Sequence, residues 1–472
     1  MIKRLVILGA SGDLTSRFLM PAIARLHQAE KLPSGFRIIG LARDDWDTEA
    51  FRRHLAEKMV PSALSILAGA RDAVLAHTEY RRVDIKDRDQ LAEALGKMTE
   101  PLVAYLALPP SLFAPTVETV AALRLPRGSK LVLEKPFGTN LASAQNLNRL
   151  LHESFPEQDV FRLDHFLGMQ TVQNILGLRF ANRVFEPLWN AQHVEWVDIV
   201  WDETLTVAGR ASFYDGTGAL RDMIQNHLLQ LLALIGMEPL HRLDERSLRD
   251  RKVDLLRAVR RLSPEEIALQ TVRGRYGRGA IEEREIVAYV RERGVDPARR
   301  TETFAQVTLA VDNWRWAGVP FRLRTGKALK RDRREIAIHF KPVPLLTFGQ
   351  QTQPKPNVLT IELDPDRIGL SINVNAPGDL FDLDRAELDS RLGSGGVPAY
   401  ARLLLNILSG DQTLSIRDDE AEESWRIVEP ILESWAAGAV PLLEYPAGSS
   451  GPPEAQRILR HVDRLRPDSA RP

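Results

Sequence analysis

Apolar positions along this chain follow two rhythms. Over roughly the first third, short apolar runs alternate with segments whose apolar residues recur every three to four positions: Leu5 to Leu8, Phe18 to Gln28, Arg37 to Ala42, then Ala50 to Lys58. Runs of that length bounded by turn residues predict buried strands, and the spaced segments predict amphipathic helices. Strand and helix in alternation mark βαβ units and hence a parallel sheet. Leu102 to Leu108 and Lys130 to Leu133 predict two further buried strands, and Ala142 to Phe155 another helix. Together they extend one doubly wound sheet.

Beyond Asp164 the rhythm changes to longer runs that alternate apolar and polar residues: His193 to Glu203, Glu302 to Asp312, Glu335 to Phe340, Val358 to Leu363 and Ile368 to Val374. In the last of these Leu370, Ile372 and Val374 share one face, because successive side chains on a strand point to opposite sides. Such strands, following one another without helices between them, predict a mainly antiparallel sheet. No internal repeat interrupts the pattern. Pro446 to Pro472 is expected to end in a mobile tail.

Length and charge narrow the classes. At 472 residues the chain exceeds what one hydrophobic core usually supports, so two domains are expected. Lys+Arg and Asp+Glu are both 63, which leaves no net field for a nucleic acid or an anionic membrane, and neither is expected as a partner. Any anion must be held by local placement. With no Cys the chain has no disulfide, thiolate metal site or thiol nucleophile. No metal site is expected, and the composition suits a reducing, cytoplasmic setting. Met1 to Ala10 reads as a first strand rather than a leader, since its apolar part is short and runs into a Gly-rich turn. No apolar stretch approaches the ~20 residues that cross a bilayer.

Gly9-Ala10-Ser11-Gly12-Asp13-Leu14 sits between a predicted strand and a helix. There, backbone N–H groups and the helix dipole can receive a pyrophosphate, and glycines permit its close approach. Two glycines fall short of the full G-x-G-x-x-G, and a tight turn packed on the sheet is the plainer alternative. The second strand ends in Gly40-Leu41-Ala42-Arg43. An NAD site usually offers a carboxylate at that point, whereas a guanidinium can grip the extra phosphate of NADP. NADP is therefore expected, with NAD as the alternative. The YLALPP stretch from Tyr105 to Pro110 places Leu108 and Pro109 at the carboxyl edge of the sheet, where such sheets bind ligands. The expected fold class is thus an α/β Rossmann domain, with a doubly wound parallel sheet, over 1–165. A larger α+β domain with a mainly antiparallel sheet follows over 166–472.

Several separated blocks resemble one family. GASGDL at Gly9, YLALPP at Tyr105, EKPFG at Glu134, RLDHFLG at Arg162, RDMIQNHLLQ at Arg221 and GVPFRLRTGKAL at Gly318 resemble glucose-6-phosphate dehydrogenase in order and approximate spacing. LSGDQTLSIRDDEAEESW carries the likeness towards the C-terminus. The resemblance implies NADP-dependent oxidation of glucose 6-phosphate, or a related hexose, at the anomeric carbon to a lactone. It also implies a small sugar substrate and a homodimer. Such a reaction needs a base for the hydroxyl proton, and imidazole titrates in the right range. By resemblance His227 is that base and Asp164 its acidic partner. Lys135, before Pro136 at a position that is cis in the family, lies between cofactor and sugar. His165, Glu203, Asp222 and Lys327 match further sugar contacts. Taken singly, each has a plain structural alternative: a core histidine, a first-turn acid, a solvated strand-end or turn charge.

The segment from Arg162 to Gln170 departs from the family's RIDHYLGKE, in which His, Tyr and Lys hold the sugar phosphate. His165 remains, but Phe166 has no hydroxyl and Met169 no charge. Phe18 stands where the family has a Lys, and Asp364 where it tends to have a Gln. A charge-assisted contact to a phosphate is worth about 1.5–3 kcal/mol, so these losses favour a glucose that is unphosphorylated or carries another 6-substituent. Arg299, Arg300, Lys330, Arg331, Arg333 and Arg334 are candidate compensating cations. A non-catalytic NADP-binding regulator is a third alternative, and the presence of His227, Asp164 and Lys135 argues against it. Glucose-fructose oxidoreductase-like proteins share the EKP element but would not explain QNHLLQ or RTGKAL.

Overall fold

The early apolar runs fold into a seven-stranded sheet in a computed structural model that describes residues 1–59, 66–96, 98–345, 354–378, 382–391 and 397–457. Six of its strands are β1 (Arg4–Leu8), β2 (Arg37–Ala42), β3 (Thr78–Arg82), β4 (Val103–Leu106), β5 (Lys130–Glu134) and β6 (Val160–Leu163). These six run parallel in the order β6-β5-β4-β1-β2-β3. The order reverses between β1 and β4, which puts the crevice for a dinucleotide at their carboxyl ends. Helix starts follow local chemistry. Asp47 caps Thr48–Lys58 by accepting from Ala50 N–H at 2.7 Å, and Asn140 with Ser143 forms a reciprocal capping box on Leu141–Ser154. The helix expected from Phe18 begins instead as wide π-type turns over Thr15–Leu19 and continues as an α-helix over Met20–Gln28, with Pro21 near its start.

The chain divides into two compact units that are not two consecutive segments. The first comprises Met1–Gln170, Leu240–Asp250 and Gly395–Glu422; the second comprises Thr171–Pro239, Arg251–Ser394 and Glu423–Pro472. The boundary expected at 165/166 falls shortly before the first crossing, at Gln170 and Thr171. The late segment of the first unit supplies a helix, Ala399–Ser409, and a short strand, β17 (Ser415–Ile416), which pairs antiparallel with β6. Ala401, Leu404, Ile407 and Leu408 of that helix are buried in one cluster with Leu5, Ile7, Met20 and Ile23. Ile2 N–H also donates to the Leu408 carbonyl at 2.9 Å.

The second unit holds a nine-stranded sheet. Its strands are β7 (Val194–Asp202), β8 (Thr271–Gly277), β11 (Phe304–Ala310), β12 (Pro320–Gly326), β13 (Arg333–Phe340), β14 (Val358–Leu363), β15 (Asp366–Asn375), β16 (Leu383–Arg391) and β18 (Leu442–Pro446). A separate small hairpin, β9 (Gly279–Ile281) and β10 (Arg284–Ile286), accounts for the remaining two. The order is β16-β15-β14-β13-β7-β12-β11-β8-β18, antiparallel except for β12 on β7 and β18 on β8. Alternation sorts the two faces of β7: Val197 and Ile199 are buried on one, while Asp198 on the other takes a bidentate bond from Arg322 at 2.7 and 2.6 Å.

One expectation needs correction. Helices do lie between the later strands: Leu229–Gly236 and Pro264–Gln270 both precede β8. Leu229–Gly236 is buried on every side, so it carries no polar stripe by which helical periodicity could be read. The stretch expected to end in a mobile tail starts with Pro446 closing β18 and includes a helical turn, Glu454–Arg457; its end, 458–472, lies outside the described residues. Among the described residues no helix is long and apolar enough to cross a membrane.

Candidate active site

The first unit carries the dinucleotide loop. Gly9 directly follows β1 at φ +86°, and a Cβ there would lie 2.3 Å from the Ala107 carbonyl oxygen, so only glycine lets this loop pass the YLALPP turn. Gly9 and Ala10 N–H both donate to the Leu41 carbonyl, at 2.8 and 3.1 Å, which ties the loop to β2. Ser11, Gly12, Asp13 and Leu14 are exposed or half-buried ahead of the helical turns, as are Leu108 and Pro109 on the neighbouring loop. Arg43 is exposed just past β2. Beneath it the Tyr80 hydroxyl lies 3.0 Å from the Ala42 carbonyl and 2.8 Å from that of Asp44, fixing the backbone from which the guanidinium projects. A cradle that excludes a Cβ, with a cation at the second strand end, fits a dinucleotide bearing an extra phosphate.

Next to this loop, neighbouring strands deliver charged groups to the same edge. Lys135 follows β5, and its bond to Pro136 is cis, as the resemblance implied. Asp164 follows β6, is fully buried, and accepts from Phe166 N–H at 2.9 Å, so it caps the single turn His165–Gly168. That turn packs tightly, because a Cβ on Gly168 would meet the Ala399 carbonyl at 2.6 Å. The His165 ring lies nearly parallel to that of Tyr400, 5.8 Å away at 7°. Phe18, largely exposed, approaches the same tyrosine at 5.4 Å. Phe166 is buried and Met169 half-buried. The first unit therefore brings together Lys135, Asp164 and the 165–169 turn beside the cofactor loop.

Sequence reasoning missed four members of this neighbourhood. The Tyr105 hydroxyl donates to Glu134 Oε1, and the Tyr400 side chain hydrogen-bonds the same carboxylate. Burial first, then the nearby Asp164 charge, pushes the Glu134 carboxyl up to about 7 although both tyrosines and Lys135 oppose the shift. Arg402 Nη2 donates to Gln170 Oε1 at 2.7 Å, which brings a cation beside the residue that follows Met169. Tyr400 and Arg402 carry no local signal, since nothing in their own segment shows that it joins the first unit.

In the second unit, Glu203 directly follows β7 and forms an ion pair with Lys327, which follows β12. The backbone locks both: Glu203 N–H donates to Gly326 O at 2.9 Å, and Lys327 N–H to Thr303 O at 2.9 Å. Asp222 and His227 both lie on Leu220–Leu228, a stretch wound in π-type turns. Hydrogen bonding five residues apart brings such positions to one side of the helix, and wide turns of this kind recur at functional sites. His227 is buried, and its backbone N–H donates to Asn226 Oδ1 at 2.6 Å. Asp222 is close enough to Tyr214 that burial, with its charge next, holds that phenol protonated well above the usual range. Asp364 is paired with Arg334, and Arg299 stands 3.6 Å from Asp215. Neither the expected extra acid nor these candidate cations are therefore uncommitted.

Residues 6–174 match the sequence family described as "Glucose-6-phosphate dehydrogenase, NAD binding domain", and residues 176–465 match "Glucose-6-phosphate dehydrogenase, C-terminal domain". The chain belongs to the glucose-6-phosphate dehydrogenase family. Among its relatives in that family, the glucose-6-phosphate 1-dehydrogenase of Treponema pallidum is 40% identical over 97% of this chain and 93% of its own. That of Gluconobacter oxydans is 39% identical over 96% of this chain and 95% of its own. A solved glucose-6-phosphate dehydrogenase in complex with its substrate glucose 6-phosphate superposes with a TM-score of 0.88 at 30% identity, covering 97% of each chain. Membership accounts for the order of the glucose-6-phosphate dehydrogenase blocks read from the sequence, and for a parallel sheet followed by a mainly antiparallel one.

Proposed function

We propose that this chain oxidises glucose 6-phosphate at its anomeric carbon to the lactone with NADP as acceptor. The observation that carries this is the joint match to both halves of the family, with relatives of that name over nearly the full length of the chain. Bound NADP would supply the hydride acceptor, held by Gly9, Ser11, Gly12, Asp13, Leu14, Leu108 and Pro109, with Arg43 on its extra phosphate. Lys135 serves both cofactor and sugar. His227 takes the proton of the anomeric hydroxyl, and Asp164 is the carboxylate that fixes its tautomer and stabilises the imidazolium. Glu203, Asp222, Lys327 and His165 bind sugar oxygens. Phe166 and Met169 line the position where the family holds phosphate.

The names of the relatives do not favour the alternatives of an unphosphorylated sugar or a non-catalytic regulator. The replaced side chains Phe18, Phe166 and Met169 then weaken phosphate binding rather than remove the need for it. A homodimer and a cytoplasmic setting belong to the same proposal, and light scattering tests the first. Initial rates of NADPH formation with glucose 6-phosphate, glucose and other hexoses test the activity itself. A kcat/KM for glucose equal to that for glucose 6-phosphate would sink the phosphate requirement. No reduction with any hexose would sink the enzyme.

A further inference from the structure

Glu134 has no part in the roles assigned above, yet it sits among the groups that do. In register, Tyr105 pairs with Val132 and Glu134 with Leu163, so the ends of β4, β5 and β6 present Tyr105, Glu134 and Asp164 side by side. Lys135 is the next residue after Glu134. Tyr400 reaches the carboxylate from the helix Ala399–Ser409. Tyr105 is fully buried and donates to Glu134 Oε1. Two phenols directed at one carboxylate hold it in a single orientation, which a strand-end glutamate in solvent would not need.

We propose that Glu134 is a positioning residue of the oxidation: its carboxylate, held by Tyr105 and Tyr400, sets the charge and orientation of Asp164 on one side and Lys135 on the other. This rests on the roles given to Asp164 and Lys135 under the proposed function. The ionised form is the working one. It accepts from the two hydroxyls, balances the Lys135 ammonium, and adds its negative charge to that of Asp164 beside the imidazolium that forms. Protonation cancels all three effects. The titratable groups facing Glu134 are Tyr105 from β4, Asp164 just past β6, Tyr400 from the helix and Lys135, the residue that follows it. Because burial outweighs the tyrosine bonds, the carboxyl gains its proton at about 7, within the working range of such an enzyme.

The test is the pH profile of kcat/KM for glucose 6-phosphate with NADP, measured on the wild type, Glu134→Gln and Tyr105→Phe. Below neutral pH the wild-type logarithmic plot should fall by about one proton more steeply than that of Glu134→Gln. Glu134→Gln should also lower kcat at pH ~8 by roughly tenfold or more, with KM for NADP nearly unchanged. Tyr105→Phe removes a donor to the carboxylate, so its acid limb should move to higher pH. A Gln variant with the wild-type slope and kcat within about twofold overturns the proposal. Should that variant not fold, an unshifted acid limb in Tyr105→Phe overturns it instead. A wild-type enzyme without this activity refutes the functional assignment, and with it the task given to Glu134. An active wild type with unresponsive variants refutes only the latter.

Discussion

Replacing Arg43 by Ala should raise KM for NADP by about ten- to a hundredfold and leave KM for NAD nearly untouched, because only one of the two cofactors offers the phosphate that a guanidinium grips. Initial-rate measurements with both cofactors decide it. Met169→Lys restores the charge that the family keeps beside the sugar phosphate, so KM for glucose 6-phosphate should drop by about tenfold while KM for glucose stays put. Glu134 also has a signature in stability. Its carboxyl rises from 4.5 to about 7 on folding, so the folded protein holds the proton more tightly than the unfolded chain. That contribution is fully present below pH ~4.5 and is lost as pH rises through ~7. With a discount for partial solvent access, ~2–3 kcal/mol should disappear over that window in wild type and not in Glu134→Gln. Denaturant midpoints across the range measure it. At this scale the sequence was legible where function is local. Gly9 and Arg43 announce themselves by their place after strands, whereas Tyr400 is separated from Glu134 by most of the chain and reaches it only through the fold.

Among the elements, the Gly9 loop is the most constrained. A left-handed backbone and a Cβ site 2.3 Å from the Ala107 oxygen leave alanine no room. Gly9→Ala should therefore cost about 2–4 kcal/mol of stability and weaken NADP binding, read by thermal unfolding with and without cofactor. β14 was readable in the second unit because it buries one face only, so half-buried Val358, Thr360 and Glu362 alternate with buried Leu359, Ile361 and Leu363. The helices between β7 and β8 were not readable for opposite reasons. Leu229–Gly236 is buried throughout, and Leu220–Leu228 is wound too wide for the usual helical spacing to describe it. His227 thus sits in an element that periodicity reads poorly. Its neighbours in RDMIQNHLLQ identified it; its helix geometry did not.

At the scale of the whole molecule, the two kinds of sheet were legible and the path of the chain between them was not. Composition carries no mark that Leu240–Asp250 and Gly395–Glu422 rejoin the first unit. A fragment cut at the boundary expected from sequence, 1–165, leaves Leu5, Ile7, Met20 and Ile23 without Leu404, Ile407 and Leu408. It should show a broad, weakly cooperative thermal transition by circular dichroism rather than the sharp one of a complete core. The discontinuity also bears on how the protein is made. A ribosome releases β1 to β6 early, but the helix and strand that seal their edge emerge only after β7 to β16 have been synthesised. The dinucleotide-binding half, first to be translated, is thus among the last to be finished, and until then its unsealed surface is what a nascent-chain chaperone would meet.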